Sequence, residues 1–345
     1  MNTKSLQKTA ILAVVIILSS IICWEIYLRN KGVAIAYDDG NNLWSYKRSQ
    51  VYHPPLEATT FIGSSRIKFD LDIATWEKQT GNKAIQLAME GQSPLPAFYN
   101  ITNDEKFKGR LIIDVTEGLF FNYSPGSAGE INEAIAYYKD LTPSQKVSSR
   151  LNEFAESQFV FLDRDNFSLN ALLKTLRIPN RPNVFEMPIF PFDFGRVNLG
   201  RQTCMTNKFI ADTNLQNQVK GIWYGFSQGR KPPPLNQATL DSFLLTIKTS
   251  LDKLRSRGGQ VLFVRTPSSG GVWMGEQQIF KRDLYWDHLL SITNTPGIHF
   301  KDYPAIANMI CPEDSHLSPA DAIVFTNEFI KILSNKFLWK FPNNL

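Results

Sequence analysis

Cysteine and histidine are scarce in this sequence, with three and four residues respectively among 345. So few cysteines exclude a disulfide scaffold, and the fold must rest on a hydrophobic core. Cys23 falls in an apolar run, while Cys204 and Cys311 either pair or stand as separate buried thiols. His53, His288 and His299 sit in unlike contexts without metal-ligand spacing, so neither a metal nor another cofactor is expected. An excess of one charge is missing as well. Lys and Arg total 37 against 32 Asp and Glu, a net charge of +5, with no basic stripe. Nucleic acid is therefore not an expected partner. Internal repeats and low-complexity tracts are absent. The composition, 43% apolar and 20% charged, excludes a disordered chain, a collagen-like repeat and a coiled-coil rod.

Long apolar runs are lacking everywhere except at the N-terminus. Residues 10–23 read AILAVVIILSSIIC, and the charge-free stretch covers 9–24. With Trp24 and Tyr27 as interfacial aromatics, this predicts one membrane-crossing helix over about 9–27. The segment offers no small-residue cleavage site, and the bulky Ile22 before Cys23 argues against a lipoprotein. An uncleaved single-pass anchor over residues 1–29 is the expectation. Lys4 and Lys8 on one side balance Arg29 and Lys31 on the other, so flanking charge does not set the orientation. Residues 30–57 read as a linker.

Residues 58–345 read as one α/β domain. Short apolar runs at 59–63, 84–89, 110–115, 260–264 and 297–300 predict buried strands, several of them stopped by glycine. Between them lie amphipathic helices. Residues 240–254 put Leu240, Phe243, Leu244, Ile247, Leu251 and Leu254 on one face, before Gly258-Gly259. Ser318-Pro319 opens a last helix with a stripe of Ala322, Phe325, Phe329 and Leu333. This alternation predicts a three-layer sandwich around a short parallel sheet of about five strands. An insertion at about 120–237 breaks the alternation. It is helical over 131–173, then rich in Pro, Asn, Gly and aromatics over 178–234. A connection of that length implies an inserted subdomain or lid, over or beside the strands' carboxyl ends.

Ligands of open parallel sheets bind at the carboxyl ends of the strands. The sequence sets Gly63-Ser64-Ser65-Arg66 there, then Glu90-Gly91, Asp114-Val115-Thr116-Glu117, Arg265-Thr266-Pro267 and Glu313-Asp314-Ser315-His316. A serine after the first strand and an acid–histidine pair before the last helix supply a nucleophile, an orienting acid and a base. His316 lies just before the positive end of that helix, which disfavours imidazolium. Trp273, Tyr285 and Trp286 are open to two readings, the lining of a sugar groove or ordinary packing.

Phe61-Ile62-Gly63-Ser64-Ser65-Arg66 resembles the first block of the SGNH (GDSL-like) hydrolases, with Ser64 in place of the usual aspartate. Glu313-Asp314-Ser315-His316 is similar to the last block of that family. Arg265-Thr266-Pro267 after an apolar strand is similar to a membrane-anchored, extracytoplasmic subgroup linked to O-acylation of bacterial envelope polysaccharides. The resemblance spans residues 59–333 and rests on these three blocks. It implies a flavodoxin-like sandwich with Ser65 as nucleophile, His316 as base, and Glu313 or Asp314 as the acid. It further implies an oxyanion hole from the Ser65 and Gly91 N–H groups, with Thr116 nearest the place of the third-block asparagine. Arg66 and Arg265 would bind substrate, Arg265 being also a substitute oxyanion donor. The soluble domain would be periplasmic, acting on an acylated glycan or acyl ester beside a membrane acyltransferase. Two activities follow: a serine O-acyl esterase or acyltransferase, or a non-catalytic scaffold or glycan-binding accessory of that fold.

Overall fold

The computed structural model describes residues 3–122, 128–176, 188–229 and 236–344. Of the aperiodic stretch 178–234, positions 178–187 and 230–234 lie outside the described residues. The chain divides into two compact units, Met1–Asp38 with Thr142–Glu186, and Asp39–Leu141 with Met187–Leu345. The single insertion expected at 120–237 is thus divided between them, residues 142–186 grouping with the N-terminal segment.

The larger unit holds five parallel strands: β1 (Ala58–Ile62), β2 (Lys83–Gln86), β3 (Arg110–Asp114), β4 (Gln260–Arg265) and β5 (Gly297–His299). Their order is β2-β1-β3-β4-β5, the flavodoxin-like doubly wound arrangement. Both faces of the sheet are covered, which explains why its strands read as continuous apolar runs. Leu111, Ile113, Val261 and Phe263 point into one layer, with helices Leu95–Thr102, Gln237–Ser256 and Trp286–Thr293. Ile112, Leu262 and Val264 point into the other, with Ile73–Thr80 and Pro319–Lys336. Each such side chain, fully buried, contributes about 1.5–3 kcal/mol. Helix Gln237–Ser256 ends where Gly258 turns to φ +89°, a left-handed conformation that costs glycine little.

The stretch 30–57 is a linker only in part. Asn41–Ser49 is a helix whose Leu43 and Trp44 are buried, and the Trp44 indole N–H donates to the Leu87 carbonyl at 3.1 Å. Cys204 and Cys311 are separate free thiols. Cys204 ends a small antiparallel ribbon, Arg196–Val197 with Thr203–Cys204.

In the smaller unit, helix Thr3–Asn30 is long and apolar enough to cross a membrane, and it extends past the apolar run at both ends. Helix Pro143–Glu156 starts from a Thr142/Gln145 capping box, and Leu169–Lys174 from the Ser168 hydroxyl.

Candidate active site

Neighbouring strands β1 and β3 connect onward in opposite directions, which opens a crevice at their carboxyl ends. Gly63 lets the two strands close there, because a Cβ on it would lie 2.5 Å from Asp114 Cβ. Ser64 then takes the N-cap position of helix Ser65–Asp70 without a side-chain cap bond, and Ser65 is the first residue of the helix, half-buried at the crevice.

Ser65 Oγ lies 2.8 Å from His316 Nε2, and His316 Nδ1 lies 2.9 Å from Glu313 Oε1. The same Glu313 oxygen accepts the His316 backbone N–H at 2.6 Å. Carboxylate contact at Nδ1 places the imidazole proton there and leaves Nε2 free to accept the Ser65 hydroxyl proton. His316 and Glu313 are buried, and the imidazole is enclosed by rings. Phe69 lies 4.4 Å away between centroids, Phe194 5.8 Å and Trp223 5.9 Å. The Trp223 indole N–H donates to Glu313 Oε2, so both carboxylate oxygens are occupied.

Asp314 faces elsewhere. Its backbone is left-handed, at φ +76°, and its carboxylate accepts the Gly271 N–H at 3.0 Å and pairs with Lys220 Nζ at 3.2 Å. Of the two acids left open by the sequence, the structure sets Glu313 against the histidine. Lys220 and Trp223 share one face of helix Thr213–Gly229, so this helix holds both neighbours of the 313–314 loop.

The Ser65 and Gly91 N–H groups make no hydrogen bond among the described residues, and Gly91 sits at φ +67° on an exposed turn. The Thr116 hydroxyl is engaged, 2.6 Å from Ser64 Oγ and donating to Asp114 Oδ2 at 3.1 Å. Burial pushes the Asp114 carboxyl above its ordinary range, against the pull of Arg66 and Arg265. Asp70, whose Oδ1 accepts the Leu317 N–H at 2.9 Å, is pushed well above it, chiefly by burial.

The two arginines expected to meet substrate are interior. Arg265 is 0% exposed and Arg66 3%. Arg265 pairs with Glu117 at 3.0 Å and with Glu276, and Arg66 pairs with Glu276. A buried guanidinium needs a carboxylate partner, and here two of each neutralise one another. Burial would raise Glu276, but the two guanidiniums outweigh it and hold the carboxyl down to about 2. Tyr285 and Trp286 are core residues, while Trp273 is half-buried beside the Arg265 guanidinium. A second balanced cluster joins Lys68 and Arg201 to Asp39 and Glu90.

Phe69, Phe194, Lys220 and Trp223 escaped the sequence reading. Phe194, Lys220 and Trp223 all lie in the stretch 178–234, which reads as aperiodic although the structure forms helix Thr213–Gly229 there, and nothing local couples them to residues 313–316. No protein-family model matches the chain, and no curated protein matches it.

Proposed function

We propose that this chain is a membrane-anchored serine O-acyl hydrolase or acyltransferase acting on an acylated glycan, or a related acyl ester, outside the cytoplasm. One observation carries the chemistry: Ser65 Oγ, His316 and Glu313 in hydrogen-bonded series at 2.8 and 2.9 Å. Helix Thr3–Asn30 supports the anchor, and the SGNH-like blocks support the substrate class and the periplasmic side.

In this reading Ser65 Oγ bonds to the acyl carbon as its proton passes to His316 Nε2. Glu313 stabilises the resulting imidazolium through Nδ1–H, and Trp223 holds the carboxylate in place. The carbonyl oxygen gains negative charge and is met by the Ser65 and Gly91 N–H groups. As the acyl–oxygen bond breaks, the leaving alkoxide takes the proton from Nε2, and an acyl-serine remains. Water then completes hydrolysis; a sugar hydroxyl in its place completes transfer.

The test is labelling by a fluorophosphonate probe together with hydrolysis of p-nitrophenyl acetate. Wild type labels and turns over. Ser65→Ala loses both, turnover falling about 10⁴-fold or more, while its thermal unfolding stays unchanged. A second reading, a non-catalytic scaffold or accessory of a membrane acyltransferase, draws on Thr116. Its hydroxyl is tied to Ser64 and Asp114 and does not replace the third-block asparagine. Failure of the folded wild type to label favours that reading.

A further inference from the structure

The smaller unit carries apolar surface beyond its membrane-length helix. Leu169, Leu172, Leu173 and Leu176 recur at the spacing of one helical face. They are 71%, 44%, 49% and 59% exposed. Helix Pro143–Glu156 repeats the pattern, with Val147, Leu151 and Phe154 at 62%, 65% and 69%. Single exposed leucines are ordinary, but two helices baring aligned apolar faces mark an interaction surface.

Contacts inside this unit fix the level at which these helices leave the anchor. The charge-free run ends at Trp24. The Glu25 carboxylate accepts the Val160 and Phe161 N–H groups, each at 3.1 Å. Arg29 donates to the Gln158 carbonyl at 2.7 Å, and Phe167 sets its ring edge-on to Trp24 at 6.2 Å. Residues 158–167 are therefore clamped to the anchor where hydrocarbon gives way to headgroups, the depth at which Trp and Arg settle. Pro143–Glu156 runs into that clamp and Leu169–Lys174 runs out of it.

We infer that these two helices lie on the bilayer surface beside the anchor, with the 169–176 leucines and the Val147–Leu151–Phe154 face seated among the acyl-chain ends. The occupant is lipid, because the exposed side chains of Thr3–Asn30 in the same unit already demand it. Lys146, Arg150 and Lys174 reach the headgroups from the same helices, as cationic side chains of interfacial helices do. The inference rests on the anchor reading of Thr3–Asn30 within the proposed function.

The test uses the full chain in nanodiscs of phosphatidylethanolamine and phosphatidylglycerol. Cys23 and Cys204 are replaced by serine, and buried Cys311 is left. Single cysteines at Leu173, Leu151, Ile16 and the exposed Thr249 carry a bimane fluorophore, quenched by nitroxide lipid or by aqueous iodide. The ratio of lipid to iodide quenching at 173 and 151 is expected to be severalfold that at 249. Iodide quenching at 173 and 151 alongside lipid quenching at 16 overturns the inference and spares the anchor. Protection from both quenchers means a protein covers the face, and overturns it too. Iodide quenching at 16 overturns the anchor reading and this inference together.

Discussion

The Arg265 cluster and the Ser65–His316–Glu313 array share one end of one sheet, and they treat polar groups in opposite ways. Around Arg265, two guanidiniums meet two carboxylates in the interior, and Ser268 fills in with a 2.8 Å bond to Glu276. Around Ser65, polar capacity is left open: a half-buried hydroxyl on the His316 ring, and a Ser65 N–H without a hydrogen bond among the described residues. The difference separates a side chain with polar capacity to spare from one that is fully engaged. Its place at a strand end and the resemblance mark Arg265 for substrate or oxyanion binding, but its guanidinium is fully paired in the interior, whereas the Ser65 hydroxyl is half-buried at the crevice.

Breaking the holding side has the largest expected effect. Arg265→Met strands Glu117 and loosens Glu276 in the interior, and a loss of about 3–5 kcal/mol in stability is expected, measured by urea unfolding. A loss within experimental error would mean the cluster is solvated and the contrast drawn above is false.

A change of pH probes the same side more gently. His299 is buried, pushed down to about 3 by burial first and then by Arg265. Its Nδ1 accepts the Lys301 N–H at 3.2 Å, which suits the neutral ring. Unfolding returns the ring to its ordinary value of 6.5, so the unfolded chain binds the extra proton. The stability this residue contributes is present above pH 6.5 and falls with acidification, by about 2 kcal/mol on reaching about pH 5. Stability curves of wild type and His299→Gln should converge over that interval; parallel curves would count against the depressed value.

The smallest effect sharpens the reactive side. Trp223→Phe keeps the ring against His316 but removes the donor to Glu313. Loss of one charged hydrogen bond, about 1.5 kcal/mol, should lower kcat about tenfold with KM unchanged and shift the pH–rate profile. A change in KM alone would assign Trp223 to substrate contact instead.

Much of the frame was legible because it is periodic. The five strands are short apolar runs, and the 240–254 and 319–336 helices carry stripes at helical spacing, so local pattern coincides with the buried face. Ser65, His316 and Glu313 were legible from the resemblance and from their places at strand and helix ends. The choice between Glu313 and Asp314 was not, since it turns on a left-handed backbone at 314 and on Lys220, which is far off in sequence. Nor was the division of 120–237, because which unit a helix joins is decided by tertiary contacts such as Glu25 to Val160 and Phe161. Asn41–Ser49 reads as linker in the sequence because its apolar pair, Leu43-Trp44, is too brief to show a period.

The Ser65–His316 hydrogen bond joins residues 251 apart in the chain. A contact of that span forms late, after the intervening strands have paired and loop entropy has been met. During synthesis the serine emerges well before its base, and until residues 313–316 dock it has the reactivity of any hydroxyl on a helix end. In the proposed serine chemistry, completion of the fold is therefore also the step that arms Ser65, and a partly folded chain carries it inert.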